Sequence, residues 1–360
     1  MGTRGNGARR GRRRVRYLHH DVPHLGRSPG RQSGRGNVVH GSTSPAAVRA
    51  ERGSVGRGAK STNLLDKDAV VRMEAADDGT GGRPEIDRGR LRDLLHGSLP
   101  EGTVRWGAKV TGARPLGDGR HEVTLADGGS FTTDLLVGAD GAWSRNRPLL
   151  SAAQPAYTGV SFVEVDLFDA DVRHPVSAEV VGGGMLFALG AGRGFLAHRE
   201  SDGNLHVYAA LEAAEEWLDG IDFSDTEAAK AAVLTHFADW EKSLRALVAD
   251  ADGDLVPRRI HALPTGHRWD RVPGVTLLGD AAHLMSPFAG EGANLALLDG
   301  AELGLAIAAH PGDVEAALAA YEERMFPRSE WSAAPSALSG AMLLRADAPQ
   351  GLVDQFAAHG

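Results

Sequence analysis

Short runs in which apolar and polar residues alternate fill the middle of the chain: Val160–Val165, Met185–Leu189, Gly194–His198 and Leu205–Leu211. Successive side chains of a strand point to opposite faces, so this period of two predicts strands with a buried face, parted by Gly-rich or Asp-Gly turns. Helical spacing interrupts them from Thr226 to Leu247, where Phe237, Trp240 and Leu244 share a face and one helix is expected. Two apolar runs, Leu135–Val137 and Val275–Leu278, have the length of buried strands. The second turns at Gly279-Asp280, and after Pro287 a glycine-rich loop opens a long helix through Asn294, Leu297, Leu298, Ala301, Leu305 and Ala308. Leu91, Leu94 and Leu95, at i, i+3 and i+4, predict a further helix opening at Ile86 or Asp87. A last helix is expected around Pro335–Arg345.

No such periodicity occurs in residues 1–60, which are rich in Arg, Gly, Ser, His and Pro and cannot bury enough surface to offset the entropy of ordering. Charge sharpens the boundary. Fourteen basic and two acidic residues give that segment a net +12, whereas the remainder carries −20, for a total of −8. A secretory or twin-arginine signal needs an apolar stretch after Arg16, and the chain continues instead into His19-His20-Asp21. A basic arm for nucleic acid would carry interleaved aromatics, of which only Tyr17 is present, so nucleic acid is not an expected partner. The segment is read as disordered or non-native, the product of a misplaced start or a frame change in a GC-rich gene. There is no cysteine, which excludes disulfides, thiolate metal sites and cysteine nucleophiles. No uninterrupted apolar run approaches the roughly 18 residues of a membrane helix. A cytoplasmic protein without a membrane partner is expected.

The chemistry concentrates at Gly279-Asp280-Ala-Ala-His283-Leu-Met-Ser-Pro287-Phe-Ala-Gly290-Glu-Gly292-Ala-Asn294. A carboxylate at a strand end can accept hydrogen bonds from ligand hydroxyls. Gly290 and Gly292 let backbone N–H groups approach a flat ring, and the helix N-terminus adds about 0.3–1 kcal/mol for a nearby anion. Upstream, an apolar strand ends in Gly138-Ala-Asp140-Gly141-Ala-Trp-Ser144-Arg-Asn-Arg147, where Asp-Gly alone is a generic turn signal. Arg88, one turn before Leu91, reads from spacing alone as part of a solvated basic helix face.

Together these blocks resemble the para-hydroxybenzoate-hydroxylase-like flavoprotein monooxygenases. Asp280, Pro287, Gly290, Gly292 and Asn294 match the family's second flavin motif, Asp140, Gly141, Ser144 and Arg147 its Asp-Gly motif, and Arg88, Leu91 and Leu95 its Arg-x-x-Leu-x-x-x-Leu pattern. The resemblance implies an α/β fold: a Rossmann-like FAD-binding domain (61–154 and 266–325), an antiparallel sheet substrate domain (155–265) and a C-terminal helix and tail (326–360). It further implies FAD held by Arg88, Asp140, Gly141, Arg147, Asp280, Pro287, Gly290, Gly292 and Asn294, transient NADPH, and O₂ captured as a C4a-hydroperoxide that hydroxylates an electron-rich ring. The flavin carries that chemistry, so no catalytic side chain and no metal is assigned. One part is missing. The family opens with a strand, Gly-x-Gly-x-x-Gly and a helix, and neither Gly5-Asn-Gly7 nor Gly34-Arg-Gly36 fits that pattern, leaving the Rossmann-like domain incomplete. A silent remnant unable to hold FAD is the alternative reading.

From residue 61 onward the chain is most similar to the tetracycline-inactivating branch, through Pro84-Glu-Ile86, Asp239-Trp240, Gly279-Asp-Ala-Ala-His-Leu-Met285 and Pro287-Phe-Ala-Gly290. Antibiotic modification, or hydroxylation of another aromatic or polyketide-like small molecule, is implied. Positions facing the drug in that branch map onto Glu164, Met185, His206 and Phe288, with Glu164 replacing Gln and Met185 replacing Arg. The second change removes a cation that would pair with an enolate. His206 is equally a substrate contact or a strand histidine satisfied by its neighbours. The C-terminal helix, a brace between domains in that branch, is equally a loosely packed tail here.

Overall fold

The structure, a computed structural model, describes residues 38–40, 61–75, 85–200 and 202–359. The chain begins with β1 (Val38–His40), β2 (Thr62–Leu65), β3 (Val71–Ala75), β4 (Glu85–Asp87) and α1 (Arg88–Gly97). There follow β5 (Val110–Gly117), β6 (Arg120–Leu125), β7 (Ser130–Thr133) and β8 (Leu136–Gly138). The central part holds β9 (Ala156–Leu167), α2 (Ala170–Arg173), α3 (Pro175–Val181), β10 (Met185–Gly190), β11 (Arg193–Arg199) and β12 (Leu205–Glu212). It closes with α4 (Thr226–Thr235), α5 (Lys242–Ala249) and β13 (Asp252–Ala262). The last third holds β14 (Val275–Leu277), α6 (Asp280–His283), α7 (Gly292–Ala309), α8 (Val314–Leu343) and α9 (Gln350–His359).

Seven strands form the largest sheet, in the order β13-β9-β12-β11-β10-β2-β3. All its pairings are antiparallel except that of β2 with β10. Alternation sorts its side chains as the sequence predicts. Val163, Val165, Leu186, Ala188, Phe195, Ala197, Val207 and Ala209 face a core built with α3, α4 and α5, while Leu64, Phe162, Phe187, Leu189, Leu196 and Tyr208 face Leu343, Leu344 and Phe288. A second, smaller layer pairs β8 with β14 in parallel, and a three-stranded antiparallel sheet β5-β6-β7 covers it through Val110, Val123, Leu125, Leu136 and Val275. On the other side, Leu277, Ala281, Leu303, Leu318 and Tyr321 pack β14 against α6, α7 and α8.

Several expectations change. The tripeptide Val38–His40 is a strand paired with β4, although its surroundings gave no strand signal; the rest of residues 1–60, including both Gly-x-Gly stretches, lies outside the described residues. Residues 62–75, expected with the cofactor domain, instead extend the large sheet, because Leu64 and Leu65 are buried on its opposite faces. The single helix expected over 226–247 is two. Glu241 caps α5 by accepting from Ser243 N–H, and the break at 236–241 turns both Phe237 and Trp240 onto Phe195. The final helix does not begin at Pro335 but runs unbroken from Val314, with Pro327 and Pro335 inside it. It is docked along its length by Tyr321, whose hydroxyl donates to Leu277 O (3.0 Å), and by Ser336, whose hydroxyl donates to Ser286 O (2.6 Å). Packing of this kind outweighs the loss of two backbone donors. Helix α7, at mean hydropathy 1.3 over 18 residues, is long and apolar enough to cross a membrane by those measures alone. Its buried line of Leu295, Asp299, Leu303 and Ala306 makes it a layer of this fold.

Candidate active site

Two residues beyond β14 the chain turns at Gly279, whose φ of 58° and ψ of −143° only glycine adopts readily and whose Cβ would lie 3.0 Å from that of Ala296. The sharp turn leaves Asp280 exposed at the start of α6, with its carboxylate bonded to no described residue, while Ala281, Ala282 and His283 turn inward. A free carboxylate on a rigid, buried stem is what a hydroxyl-bearing ligand requires.

The Asp140–Arg147 motif turns out to be the mount for that stem. Asp140 Oδ1 accepts from Ser144 Oγ (2.6 Å), and its Oδ2 accepts from Arg145 N–H (2.8 Å) and Asn146 Nδ2 (3.0 Å). Ser144 Oγ in turn accepts from the N–H groups of Asn146 and Arg147. This closed turn delivers Arg147, 3% exposed, across 133 positions of sequence to the Asp280 turn. There its guanidinium donates to the carbonyls of Ala142 (2.6 Å), Ala281 (2.8 Å) and Asp280 (3.2 Å). Burial lowers the Arg147 pKa, and the charges of Asp140 and Asp280 oppose that shift. The spacing Asp-x-x-x-Ser-x-x-Arg is therefore the spacing of one hydrogen-bonded turn, and Asp140 and Arg147, expected to touch cofactor, direct these polar atoms at the chain itself. Arg147→Met should cost on the order of 3 kcal/mol, because it strands buried carbonyl acceptors. Urea unfolding measures this, and a loss below about 1 kcal/mol would count against the mount.

Next to the turn, Ser286 is clasped to α8 by reciprocal bonds with Ser336, and Pro287–Ala289 form one 3₁₀ turn ending at Gly290 (φ 68°). A Cβ at Gly290 or Gly292 would meet nothing within 4 Å, so the backbone is open where α7 begins, at the positive end of its helix dipole. Asn294 stands in the first turn of α7. Arg88 is exposed at the first position of α1. These features suit the ribityl and ring portions of a flavin: a free carboxylate, an open glycine backbone and a helix N-terminus.

Three of the four expected substrate residues, Glu164, Met185 and His206, fall on one face of the large sheet, the face away from α3–α5. A cross-strand row runs Thr62, Met185, His198, His206, Asp166, and the adjacent row Leu64, Phe187, Leu196, Tyr208, Glu164. Phe288 reaches this face from the 286–292 loop and meets Phe162 edge-on at 5.7 Å, and Gly340 of α8 leaves room for its ring. Sequence reasoning missed the partners. Glu164 is paired with Arg258 of β13 (3.0 Å), a cation on the same face that the alternation of β13 could have signalled. His206 Nδ1 lies 2.6 Å from Asp166 Oδ1, while its buried Nε2 has no partner among the described residues. Both readings of His206 thus retain one nitrogen each. Burial, reinforced by Glu164, raises the Tyr208 pKa and keeps that hydroxyl protonated.

Residues 92–332 match the family described as an FAD binding domain. The chain is 32% identical over 322 residues to Monooxygenase penA of Penicillium thymicola, covering 75% of this chain and 74% of that protein. Among solved structures, 2,6-dihydroxypyridine-3-hydroxylase from Arthrobacter nicotinovorans superposes with a TM-score of 0.71 at 19% identity, over 90% of this chain and 88% of that one. Tetracycline destructase Tet(55) does so with a TM-score of 0.63 at 17% identity, over 84% and 77%. At such identities the two structures share the fold.

Proposed function

This chain belongs to the family of FAD-dependent monooxygenases, and from that premise we propose that it uses NAD(P)H and O₂ to hydroxylate an aromatic or polyketide-like small molecule in the cytoplasm. The observation that carries this reading is the sheet face opposite α3–α5. It joins an apolar floor of Met185, Phe187, Leu196 and the Phe162–Phe288 pair to a polar margin of His198, His206, Asp166 and the Glu164–Arg258 pair, beside the loop that leads from Asp280. Flat rings with one hydroxylated edge match such a surface.

Bound FAD, once reduced, supplies the activated oxygen; the chain's own residues bind, orient and exclude water. Asp280 would accept from the ribityl hydroxyls, the N-terminus of α7 at Gly290 and Gly292 would face the ring's electron-rich edge, and Arg88 would add a cation. Pro287 and Asn294 would shape that edge, and Asp140, Gly141 and Arg147 would hold the Asp280 turn in place. Met185 offers no charge to an enolate, and Arg258 is already engaged by Glu164. A neutral hydroxyaromatic ring therefore suits the face better than an anionic, tetracycline-type antibiotic.

The test is NAD(P)H oxidation and oxygen uptake by the FAD-loaded protein against a panel of hydroxylated aromatics and polyketides, with product masses. Oxidation stimulated by one class, with product heavier by one oxygen atom, is the expected result. A protein that binds FAD but oxidises no member of the panel would defeat the substrate class.

A further inference from the structure

The long helix α7 carries one carboxylate in its buried line. Asp299 is 1% exposed, and a chain that buries an ion must surround it with donors. It does so from three elements. Asp299 Oδ2 accepts from Gly279 N–H (2.9 Å) and lies 2.6 Å from His283 Nε2, and Oδ1 accepts from Arg328 of α8 (2.8 Å). Arg328 also pairs with Glu302, one turn along α7 (2.6 Å). Gly279 and His283 are the two ends of the turn whose exposed corner is Asp280. One buried carboxylate thus grips both feet of that corner and ties it to α7 and α8.

We propose that Asp299 is a positioning residue for the cofactor: by holding Gly279 and His283 it fixes the direction in which Asp280 presents its carboxylate, without touching the ligand. This rests on the reading of Asp280 as a flavin contact and extends it to a residue that the flavin motifs leave out. A carboxylate is required at the position, not merely a polar group. Each of its oxygens faces donors, so an asparagine amide, whichever way it is flipped, points its NH₂ at another donor. His283 contributes through the same oxygen, and its Nδ1 has no partner among the described residues, so the one hydrogen bond of its side chain there is to Asp299.

Asp299→Asn is the test, read three ways: exchange of the Gly279 amide in the apoprotein, FAD dissociation constant, and the visible spectrum of the flavin at saturation. Phe237→Ala, in the helix-covered core of the large sheet and remote from the Asp280 turn, serves as the control for lost stability. Expected for Asp299→Asn are exchange at Gly279 at least tenfold faster, FAD affinity at least tenfold weaker and a displaced bound-flavin band, whereas Phe237→Ala lowers the unfolding midpoint and leaves the other readings unchanged. Should Asp299→Asn fail to fold, His283→Leu and His283→Gln decide: the leucine weakens FAD and the glutamine, which can still donate to Asp299, restores it. FAD bound within twofold of wild type with an unaltered spectrum, or equal losses in Phe237→Ala, would overturn the proposal. A wild-type protein that takes up no FAD would defeat the reading of Asp280 instead, and Gly279 exchange would still decide whether Asp299 holds the turn.

Discussion

Asp280→Ala is expected to leave a folded protein that emerges from desalting without flavin. The side chain is exposed and none of the described residues relies on its carboxylate for a hydrogen bond, so its removal should change stability by no more than about 0.5 kcal/mol. Its stem is a different matter, because Gly279, Ala281, Ala282 and His283 are all buried and remain in place in the variant. Hydrogen bonds to an ionised acceptor contribute roughly 1.5–3 kcal/mol, which converts to about a ten- to hundredfold loss of FAD affinity. Asp280→Asn, which keeps an acceptor but not the charge, should lose less. Retained absorbance after desalting and a fluorescence titration with FAD measure both. Flavin content equal to wild type in Asp280→Ala would remove Asp280 from the cofactor site, and with it the purpose of the Arg147 mount and of Asp299.

The largest effect on stability is expected from Phe237→Ala, far from that turn. Phe237 is fully buried, stacked on Phe195 with ring centroids 4.2 Å apart and meeting Trp240 edge-on at 5.1 Å. Truncation of such a ring costs about 3–5 kcal/mol through lost burial and the cavity left behind. Set against a total stability of roughly 5–15 kcal/mol, that is a large fraction of what keeps the fold together. Thermal unfolding should shift down by on the order of 10 °C. The ring lies on the helix-covered face of the large sheet, so FAD affinity measured well below the transition should be unchanged. A loss of less than about 1 kcal/mol would mean that the core collapses around the gap.

The pattern of alternation was enough to find the central strands, because a sheet with both faces buried against different layers forces a period of two on its side chains. It was not enough for the breaks. Nothing local distinguishes one helix over 226–247 from two, since the turn at 236–241 is fixed by where Phe237 and Trp240 find Phe195, some forty positions earlier. The same holds for β2. Leu64 and Leu65 announce a buried strand, but only the pairing with Met185–Ala188 decides that it belongs to the large sheet.

At the site the division is similar. The run from Gly279 to Asn294 was legible by itself, because a glycine-only backbone, a terminal carboxylate and an open helix start are properties of neighbouring residues. The Asp140, Ser144 and Arg147 spacing was visible too, yet it suggested ligand contacts. Only the fold shows that Asp140 closes its own turn and that Arg147 grips the carbonyls of Asp280 and Ala281. Asp299 carried a signal in the sequence, a lone carboxylate in the buried line of an apolar helix. Its meaning depended on Gly279, His283 and Arg328, which lie between 16 and 29 positions away on other elements. The sequence by itself determined which groups the protein offers a ligand, since backbone freedom, charge and period are local. The tertiary structure decided which of those groups stay exposed at the turn and which hold the others in place, because a buried polar atom takes its partner from whatever packing brings within hydrogen-bonding distance.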